Sequence, residues 1–139
     1  MTIEDQNTDI VRAAFEAWNS CKGESVDCWM NIMAEEVNFR SLADGREDLA
    51  FTQERKSRDE VLSYLKGLSE MFEMINYKVD HYVAQGDRVV AVGSTSWKKR
   101  GTENKFDTPK VDVIRLKDGK IVEFFEYYDT AMVQAIAAS

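Results

Sequence analysis

The sequence is poor in the residues that build disulfide frameworks, metal centres and phosphate loops. Its 139 residues include two cysteines, Cys21 and Cys28, and one histidine, His81. Two cysteines imply no disulfide framework, and we expect both thiols to be buried and reduced. One histidine provides no zinc cluster, and the seven glycines are dispersed rather than gathered into a phosphate-binding loop. We therefore expect neither a metal nor a cofactor.

Basic residues are also scarce. Eighteen lysines and arginines stand against twenty-five acidic residues, which gives a formal charge of −7. Such a charge repels phosphate backbones and anionic membranes, so we expect neither nucleic acid nor a membrane as a partner. The one basic run, Lys98-Lys99-Arg100, precedes Gly101 and is interpreted as a solvated hairpin tip.

Long hydrophobic runs are absent as well. The first six residues are polar and acidic, unlike the start of a signal peptide, and no run approaches the length of a membrane span. A cytoplasmic location is therefore the expectation. The hydrophobic share of 44%, with 31% charged residues, is typical of a globular protein, and the length suits one domain over residues 1–139.

The first half of the chain is predicted to be mainly helical. Apolar residues recur at helical spacing over residues 8–21, and a third helix begins after a capping box at residues 57–60. Ser25 can cap a short second helix that runs to Met33, and alternation over residues 37–41 predicts a short strand.

The segment after this strand allows two interpretations. Ala43-Asp44-Gly45 is a turn. Residues 49–53 then either return as a strand, which makes residues 37–53 a hairpin, or form a mobile flap beside a pocket. The hairpin is the preferred prediction.

The second half of the chain is predicted to be a sheet. From residue 75 the apolar period changes to two, which predicts four strands, followed by a small closing helix over residues 131–137. The predicted fold class is α+β, with three N-terminal helices packed in the concave face of a strongly curved antiparallel sheet. Residues 89–92 are apolar on both faces of their strand, so we expect a homodimer through the outer sheet face. The predicted strands cover residues 75–85, 88–99, 105–117 and 120–128.

The order of these elements and the segment over residues 111–123, VDVIRLKDGKIVE, carry a family resemblance. The chain resembles the nuclear-transport-factor-two-like superfamily in its SnoaL-like branch, and the ending Glu126-Tyr127-Tyr128-Asp129 is similar to the end of the last strand in these families. The resemblance covers nearly the whole chain and implies a conical barrel, the cystatin-like α+β roll, as one SnoaL-like domain. This scaffold carries isomerases, cyclases, hydrolases and plain binding or assembly domains.

The resemblance to ketosteroid isomerases and polyketide cyclases is incomplete at the active site. Asp112 falls where the isomerases keep a protonated aspartate, but Ser41 stands at the position of their catalytic base. Ala14 lies near the position of their helix-one tyrosine. Phe124 replaces the histidine of the SnoaL-type cyclases.

The resemblance to limonene-epoxide hydrolases is incomplete too. Glu126 matches one of their two essential carboxylates, whereas Ser94 and Ser96 stand at the arginine and the other aspartate. Phe39 and Ser41 replace the tyrosine and asparagine that hold the water.

Asp112 and Glu126 are the candidate catalytic residues. Period-two geometry places each carboxyl among apolar neighbours on its strand. If both point into the cone, burial and mutual repulsion raise at least one pKa, so that one carboxyl is a protonated donor and the other a base toward a carbonyl substrate. Ser94 and Ser96 would orient a substrate oxygen or water. The other predicted pocket residues are Trp18, Phe39, Ser41, Tyr64, Phe124 and Tyr128.

The opposite faces of the two strands are apolar as well, which leaves an alternative open. In this alternative a bulge near Pro109 turns Asp112 outward, and Glu126 pairs with a lysine at a subunit boundary. His81, beside Asp80 on a strand, is interpreted as a half-buried packing residue.

The expected partner is a small apolar molecule that carries oxygen, of polyketide, terpenoid or steroid type. The pocket is expected to bind this molecule and to isomerise, cyclise or hydrate it by cofactor-free acid/base chemistry. One alternative is a binding protein that uses the same pocket without catalysis. The other is a homodimerisation module whose cone is filled by its own side chains.

Overall fold

The computed structural model describes all 139 residues, which form four α-helices and six strands. The predicted α+β class, with helices packed in the concave face of a curved sheet, is confirmed. In chain order the elements are α1 (Ile3–Ser20), α2 (Asp27–Met30), β1 (Met33–Ser41), a 3-10 turn (Ala50–Thr52), β2 (Arg55–Ser57), α3 (Arg58–Met71), β3 (Phe72–Gln85), β4 (Arg88–Lys99), β5 (Lys105–Lys117), β6 (Lys120–Tyr128) and α4 (Thr130–Ala138).

Side-chain caps set where the long helices begin. Thr2 and Asp5 form a reciprocal capping box, so α1 starts five residues before the predicted start at residue 8. In α3 the Ser57 hydroxyl accepts the Glu60 amide at 3.2 Å, as predicted, but the Glu60 carboxylate accepts the amide of Lys56 instead of that of Ser57. The second helix is a single turn, and the prediction that it runs to Met33 is wrong because Met33 already belongs to β1.

The predicted hairpin over residues 37–53 is wrong at residues 49–53. The strand that returns to β1 is β2, in which Arg55 pairs with Phe39. Residues 49–53 instead contain the 3-10 turn, because the Thr52 hydroxyl bonds to the carbonyl of Leu49 and accepts the amide of Gly45. Such local side-chain bonds compete with a strand ladder. Leu49 is fully buried, which anchors this turn against the rest of the protein.

The sheet is mostly antiparallel and has the strand order β2-β1-β6-β5-β4-β3. Strands β3 to β6 form a meander, whereas β1 lies parallel to β6, so the prediction of a fully antiparallel sheet does not hold at this pair. The sheet remains open. The predicted bounds of β4, β5 and β6 are the observed ones, and β3 begins three residues early, at Phe72.

Irregular pairing bends the β3–β4 hairpin. The register shifts between Met74 and Asn76 and again between Val79 and His81. Gly93 lies opposite the second shift, and a Cβ there would overlap the carbonyl oxygen of Lys78. A glycine is therefore required at this position for the two backbones to approach, and the bulges curve the sheet around the helices.

The concave face of the sheet and the helices share one hydrophobic core. Alternate residues of β4 and β5, including Val89, Ala91, Ile114 and Leu116, are buried beneath the helices. The other face keeps half-exposed apolar residues, and Phe125 and Tyr127 stack there with ring centroids 4.3 Å apart. No helix combines the length and apolar character that crossing a membrane requires.

Candidate functional site

A pocket opens between the helices and the concave face of the sheet. Its walls are mainly apolar, with aromatic residues making up half of the lining, and come from all four helices, the 3-10 turn and five strands. The cavity that it encloses has a volume of about 80 Å³. The aromatic residues that line it are Phe15, Trp18, Trp29, Phe39, Phe51, Tyr64, Tyr77, Trp97, Phe106, Phe124 and Tyr128.

The structure brings most of the predicted pocket residues together. Trp18, Phe39, Tyr64, Phe124 and Tyr128 all line the pocket. The fit is close, because the rings of Phe39 and Phe124 stack at 4.9 Å and Tyr64 packs on Phe39 at 4.7 Å. The predicted wall thus exists, and it is a packed aromatic surface with the tyrosine hydroxyls as its polar points.

Three predicted serines lie outside this wall. Ser41 is buried directly behind it and shares a hydrogen bond of 2.5 Å with the Tyr128 hydroxyl. Ser94 and Ser96 do not face the pocket, which corrects their predicted role. The β4–β5 register is continuous, so alternation along β4 places Thr95 inward and both serines on the outer face.

Asp112 and Glu126 lie side by side on the concave face. They are direct partners in the β5–β6 ladder, so both side chains emerge on the same face. The alternative with a bulge near Pro109 is wrong, since Pro109 pairs with Ser94 in an unbroken register. The two carboxyls differ in access: Glu126 lines the pocket, whereas Asp112 lies behind the lining and is 1% exposed.

Lys110 joins the two carboxyls and is the main site residue that sequence reasoning missed. Its Nζ lies 2.6 Å from Oδ1 of Asp112 and 3.0 Å from Oε2 of Glu126. It also donates to the Tyr77 hydroxyl at 2.8 Å. The alternation of side chains along a strand could have identified it, because Lys110 precedes Asp112 by two residues and therefore lies on the same face of β5. A lysine partner for Glu126 was anticipated, but at a subunit boundary rather than inside the cone.

Two tyrosines complete this polar cluster. The Tyr77 hydroxyl donates to Oδ2 of Asp112, and the Tyr64 hydroxyl donates to Oε1 of Glu126. We call Lys110, Asp112, Glu126, Tyr64 and Tyr77 the ionic cluster. No buried side-chain oxygen or nitrogen in the protein lacks a hydrogen-bond partner. The cluster is therefore already organised without a ligand.

Burial and charge shift the pKa values within the ionic cluster. Burial raises the pKa of Asp112; Lys110 opposes this rise and Glu126 adds to it. Burial alone lowers the pKa of Lys110, but the two carboxylates outweigh burial and raise it well above its usual range. Burial and an adjacent carboxylate also raise the pKa values of Tyr64 and Tyr77. Lys110 thus stays charged, and the tyrosines stay neutral donors.

Glu126 is the one acidic group of the cluster that is open to the pocket. Each carboxylate oxygen can accept two hydrogen bonds, and in Glu126 one site on each oxygen is occupied, by Tyr64 and by Lys110. Sites therefore remain for a proton or donor brought by a ligand. Nearby, the Ser41–Tyr128 pair can turn a hydroxyl hydrogen toward a ligand oxygen, since either atom can act as the donor. This combination suits proton transfer beside a carbonyl or hydroxyl group.

The residues that sequence analysis set aside lie away from the ionic cluster. His81 is exposed on the outer face rather than half-buried, because the bulge at Asp80 shifts the alternation of β3. Cys21 and Cys28 are free and half-buried, rather than fully buried, and burial raises the pKa of Cys28 to about 11. No three histidine, cysteine or acidic side chains come together in a way that could hold a metal ion.

The fold and sequence have clear relatives. Residues 11–124 match the SnoaL-like domain family. An NTF2-like protein of unknown function from Burkholderia pseudomallei is 19% identical over 100% of both chains, with a TM-score of 0.82. A putative SnoaL-like polyketide cyclase from Jannaschia sp. CCS1 is 22% identical, covers 100% of this chain and 96% of its own, and has a TM-score of 0.77.

A third similar structure is TerC co-crystallised with polyporic acid, which is 16% identical, covers 96% of this chain and 99% of its own, and has a TM-score of 0.71. No curated protein sequence matches the chain significantly. At these identities the solved structures establish a shared fold, and the predicted resemblance to this superfamily is confirmed.

Proposed function

Because the chain belongs to the SnoaL-like domain family, we propose that its cone binds a small, mostly apolar molecule that carries oxygen and exchanges a proton with it through Glu126. The observation that carries the proposal is one carboxylate facing a largely apolar pocket and held in place by Lys110 and Tyr64, which line the pocket beside it. Ligand pockets commonly combine such apolar walls with few convergent polar groups.

The proposed chemistry needs no cofactor. Glu126 removes a proton from the carbon next to a ligand carbonyl, and the electron pair moves to the carbonyl oxygen to form an enolate. The Ser41–Tyr128 pair donates a hydrogen bond to this oxygen. If a carbon–carbon double bond adjoins the deprotonated carbon, return of the proton from Glu126 to the far carbon of the resulting dienolate isomerises the molecule. Alternatively, the enolate carbon attacks a second carbonyl of the same molecule, and the oxygen of that carbonyl takes the proton back from Glu126, which completes a ring.

Asp112 has a different part in this proposal from the acid/base role predicted for it. Its two oxygens accept from Lys110 and Tyr77, and it does not line the pocket. We therefore treat it as a positioning residue, which holds the Lys110 ammonium against Glu126. Glu126 alone is the proposed catalytic carboxylate.

Two similar structures support the ligand class. One is named as a putative polyketide cyclase and the other was crystallised with polyporic acid. The aromatic lining of this pocket suits such flat or alicyclic oxygenated molecules, because aromatic walls bury much apolar ligand surface.

Hydrogen–deuterium exchange at the carbon next to a ketone carbonyl tests the proposal without knowledge of the natural substrate. Cyclohexyl methyl ketone is incubated with the protein in deuterium oxide, and loss of the hydrogens next to its carbonyl is followed by nuclear magnetic resonance. We expect Glu126→Gln to slow this exchange by about 100-fold or more. Glu123→Gln is the matched control, since Glu123 lies on the same strand with its side chain 42% exposed on the other face. Equal exchange by Glu126→Gln and the wild-type protein would contradict the proposal.

Binding without catalysis is the second candidate. It is favoured because every buried polar side-chain atom of the ionic cluster already has a hydrogen-bond partner within the protein. All three tryptophans of the chain line the pocket, so their fluorescence reports ligand entry. Saturable binding of the ketone together with no exchange above buffer would support this second candidate over the first.

A homodimer through the outer sheet face stays part of the proposal. Its support is the apolar character of that face, which carries the Phe125–Tyr127 stack on β6 and, on the edge strand β3, Val83 with 55% of its surface exposed. Covering such a patch with a second copy removes apolar surface from water.

A further inference from the structure

The charge balance of the ionic cluster bears on which ligands the pocket accepts. Lys110 and Glu126 are the charged side chains among the lining residues, and Asp112 lies directly behind Lys110. One ammonium therefore stands against two carboxylates. Both oxygens of Asp112 accept hydrogen bonds, as an ionised carboxylate does, so the cluster carries one uncompensated negative charge at the end of an apolar pocket.

Protein oxygens enclose the ammonium, which donates to Asp112 and to Tyr77 and is ion-paired with Glu126. An ammonium group has three hydrogens. Three oxygens, from Asp112, Tyr77 and Glu126, surround Nζ of Lys110 at 2.6, 2.8 and 3.0 Å. A carboxylate or phosphate that entered the pocket would have to compete with two carboxylates that already pair with the only cation in the wall.

The remaining polar groups suit an uncharged oxygen. The Tyr128 and Ser41 hydroxyls share one hydrogen bond, in which one hydroxyl donates and the other accepts. The hydrogen of the accepting hydroxyl is therefore free for a carbonyl or alcohol oxygen. Glu126 can accept from a ligand hydroxyl. Neither interaction requires a charge on the ligand.

We propose that the pocket selects uncharged ketones, enones or alcohols and rejects the corresponding carboxylates. This inference rests on the proposed ligand-binding function and names the substrate class of the same pocket. It follows that the reaction that supplies the substrate must leave it without a free acid group, for example by decarboxylation, reduction or esterification of an acid.

Matched probes test this selectivity in the wild-type protein. Cyclohexyl methyl ketone and cyclohexanecarboxylate have nearly the same shape, differ in charge, and absorb too little to disturb tryptophan fluorescence. We expect the carboxylate to bind about 10- to 100-fold more weakly than the ketone, from one like charge about 6–12 Å away at an effective dielectric constant near 20. Cyclohexylmethylammonium is the third probe, and it should bind at least as well as the ketone.

Substitution of one carboxylate shows whether the ionic cluster causes the discrimination. Glu126→Gln removes the uncompensated charge, so the ratio of the two dissociation constants should fall toward one. Glu123→Gln makes the same change to the net charge on the other face of β6 and should leave the ratio as in the wild type. Circular dichroism and urea unfolding confirm that both variants are folded before the ratio is measured.

Each outcome separates the two proposals. Carboxylate binding as tight as that of the ketone in the wild-type protein overturns the charge selectivity and leaves the ligand-binding function standing. A selectivity that Glu123→Gln abolishes as fully as Glu126→Gln also overturns it, because net charge would then be the cause. Failure of all three probes to bind at saturating concentration overturns the ligand-binding function and the selectivity with it.

Discussion

Replacement of Lys110 by methionine tests the energetics of the ionic cluster most directly. Methionine keeps much of the length of the lysine stem but removes the ammonium that contacts Asp112 and Glu126. These three side chains are 8%, 1% and 13% exposed, so solvent cannot replace the lost cation. Removal of one partner from a buried ion pair costs about 3–5 kcal/mol. Because domains of this size are stable by about 5–15 kcal/mol, the loss is a large part of the total.

Urea unfolding of the single and double variants measures this loss. The change in midpoint, multiplied by the slope of the transition, gives the change in the free energy of unfolding. Addition of Asp112→Asn to Lys110→Met removes one of the two buried carboxylates that Lys110→Met leaves without a cation. The double variant should therefore lose less than the sum of the single losses, by about 0.5–3 kcal/mol.

The pH dependence of Lys110→Met provides a second test. Without the cation, nothing opposes the burial that raises the pKa of Asp112, so the folded state holds more protons than the unfolded state above about pH 4. Stability should then fall as pH rises, by up to about 1.4 kcal/mol per pH unit for each proton. In the wild type, the stability due to the raised pKa of Lys110 is fully present at neutral pH and is lost only above the usual lysine range.

An exposed ion pair is the control for Lys110. Arg88 and Glu123 lie 3.2 Å apart with side chains 52% and 42% exposed, so Arg88→Met should cost less than about 1 kcal/mol. Two results together would show that the cluster is not a tightly coupled buried unit. Lys110→Met would lower the free energy of unfolding no more than Arg88→Met does, and the stability of the Lys110→Met variant would not change with pH.

The remaining predictions concern the pocket wall and the outer face. Alanine at Gly67 in α3 would place its Cβ 2.5 Å from that of Phe51, so Gly67→Ala should lower the melting temperature despite the helix preference for alanine of about 1 kcal/mol. In a Phe51→Gly background, which lacks the clashing Cβ, the same substitution should raise it, and a rise in both backgrounds would refute the clash. Tyr127→Asp should dissociate the proposed dimer in sedimentation velocity, whereas Gln6→Asp, on exposed α1 surface, should not; a wild-type monomer would end that proposal.

Local patterns were sufficient to predict the meander. The bounds of β4, β5 and β6 match the prediction because period-two alternation and turn residues at Gly86 and Gly119 are properties of neighbouring residues. Prediction failed where another interaction replaced the local one. Residues 49–53 read as a strand, but the bonds of the Thr52 side chain closed a 3-10 turn there.

Sequence reasoning predicted the α+β class and named Asp112, Glu126 and most of the aromatic pocket residues, but it left open whether the two carboxyls point into the cone. Tertiary structure decided which groups reach the ligand. The inward face of β5 depends on an unbroken ladder with β4, and the separate ladder between β5 and β6 brings Lys110 beside Glu126, sixteen residues later in the chain. Local spacing cannot show such a cross-strand contact, because the face that a strand buries depends on the elements packed against it.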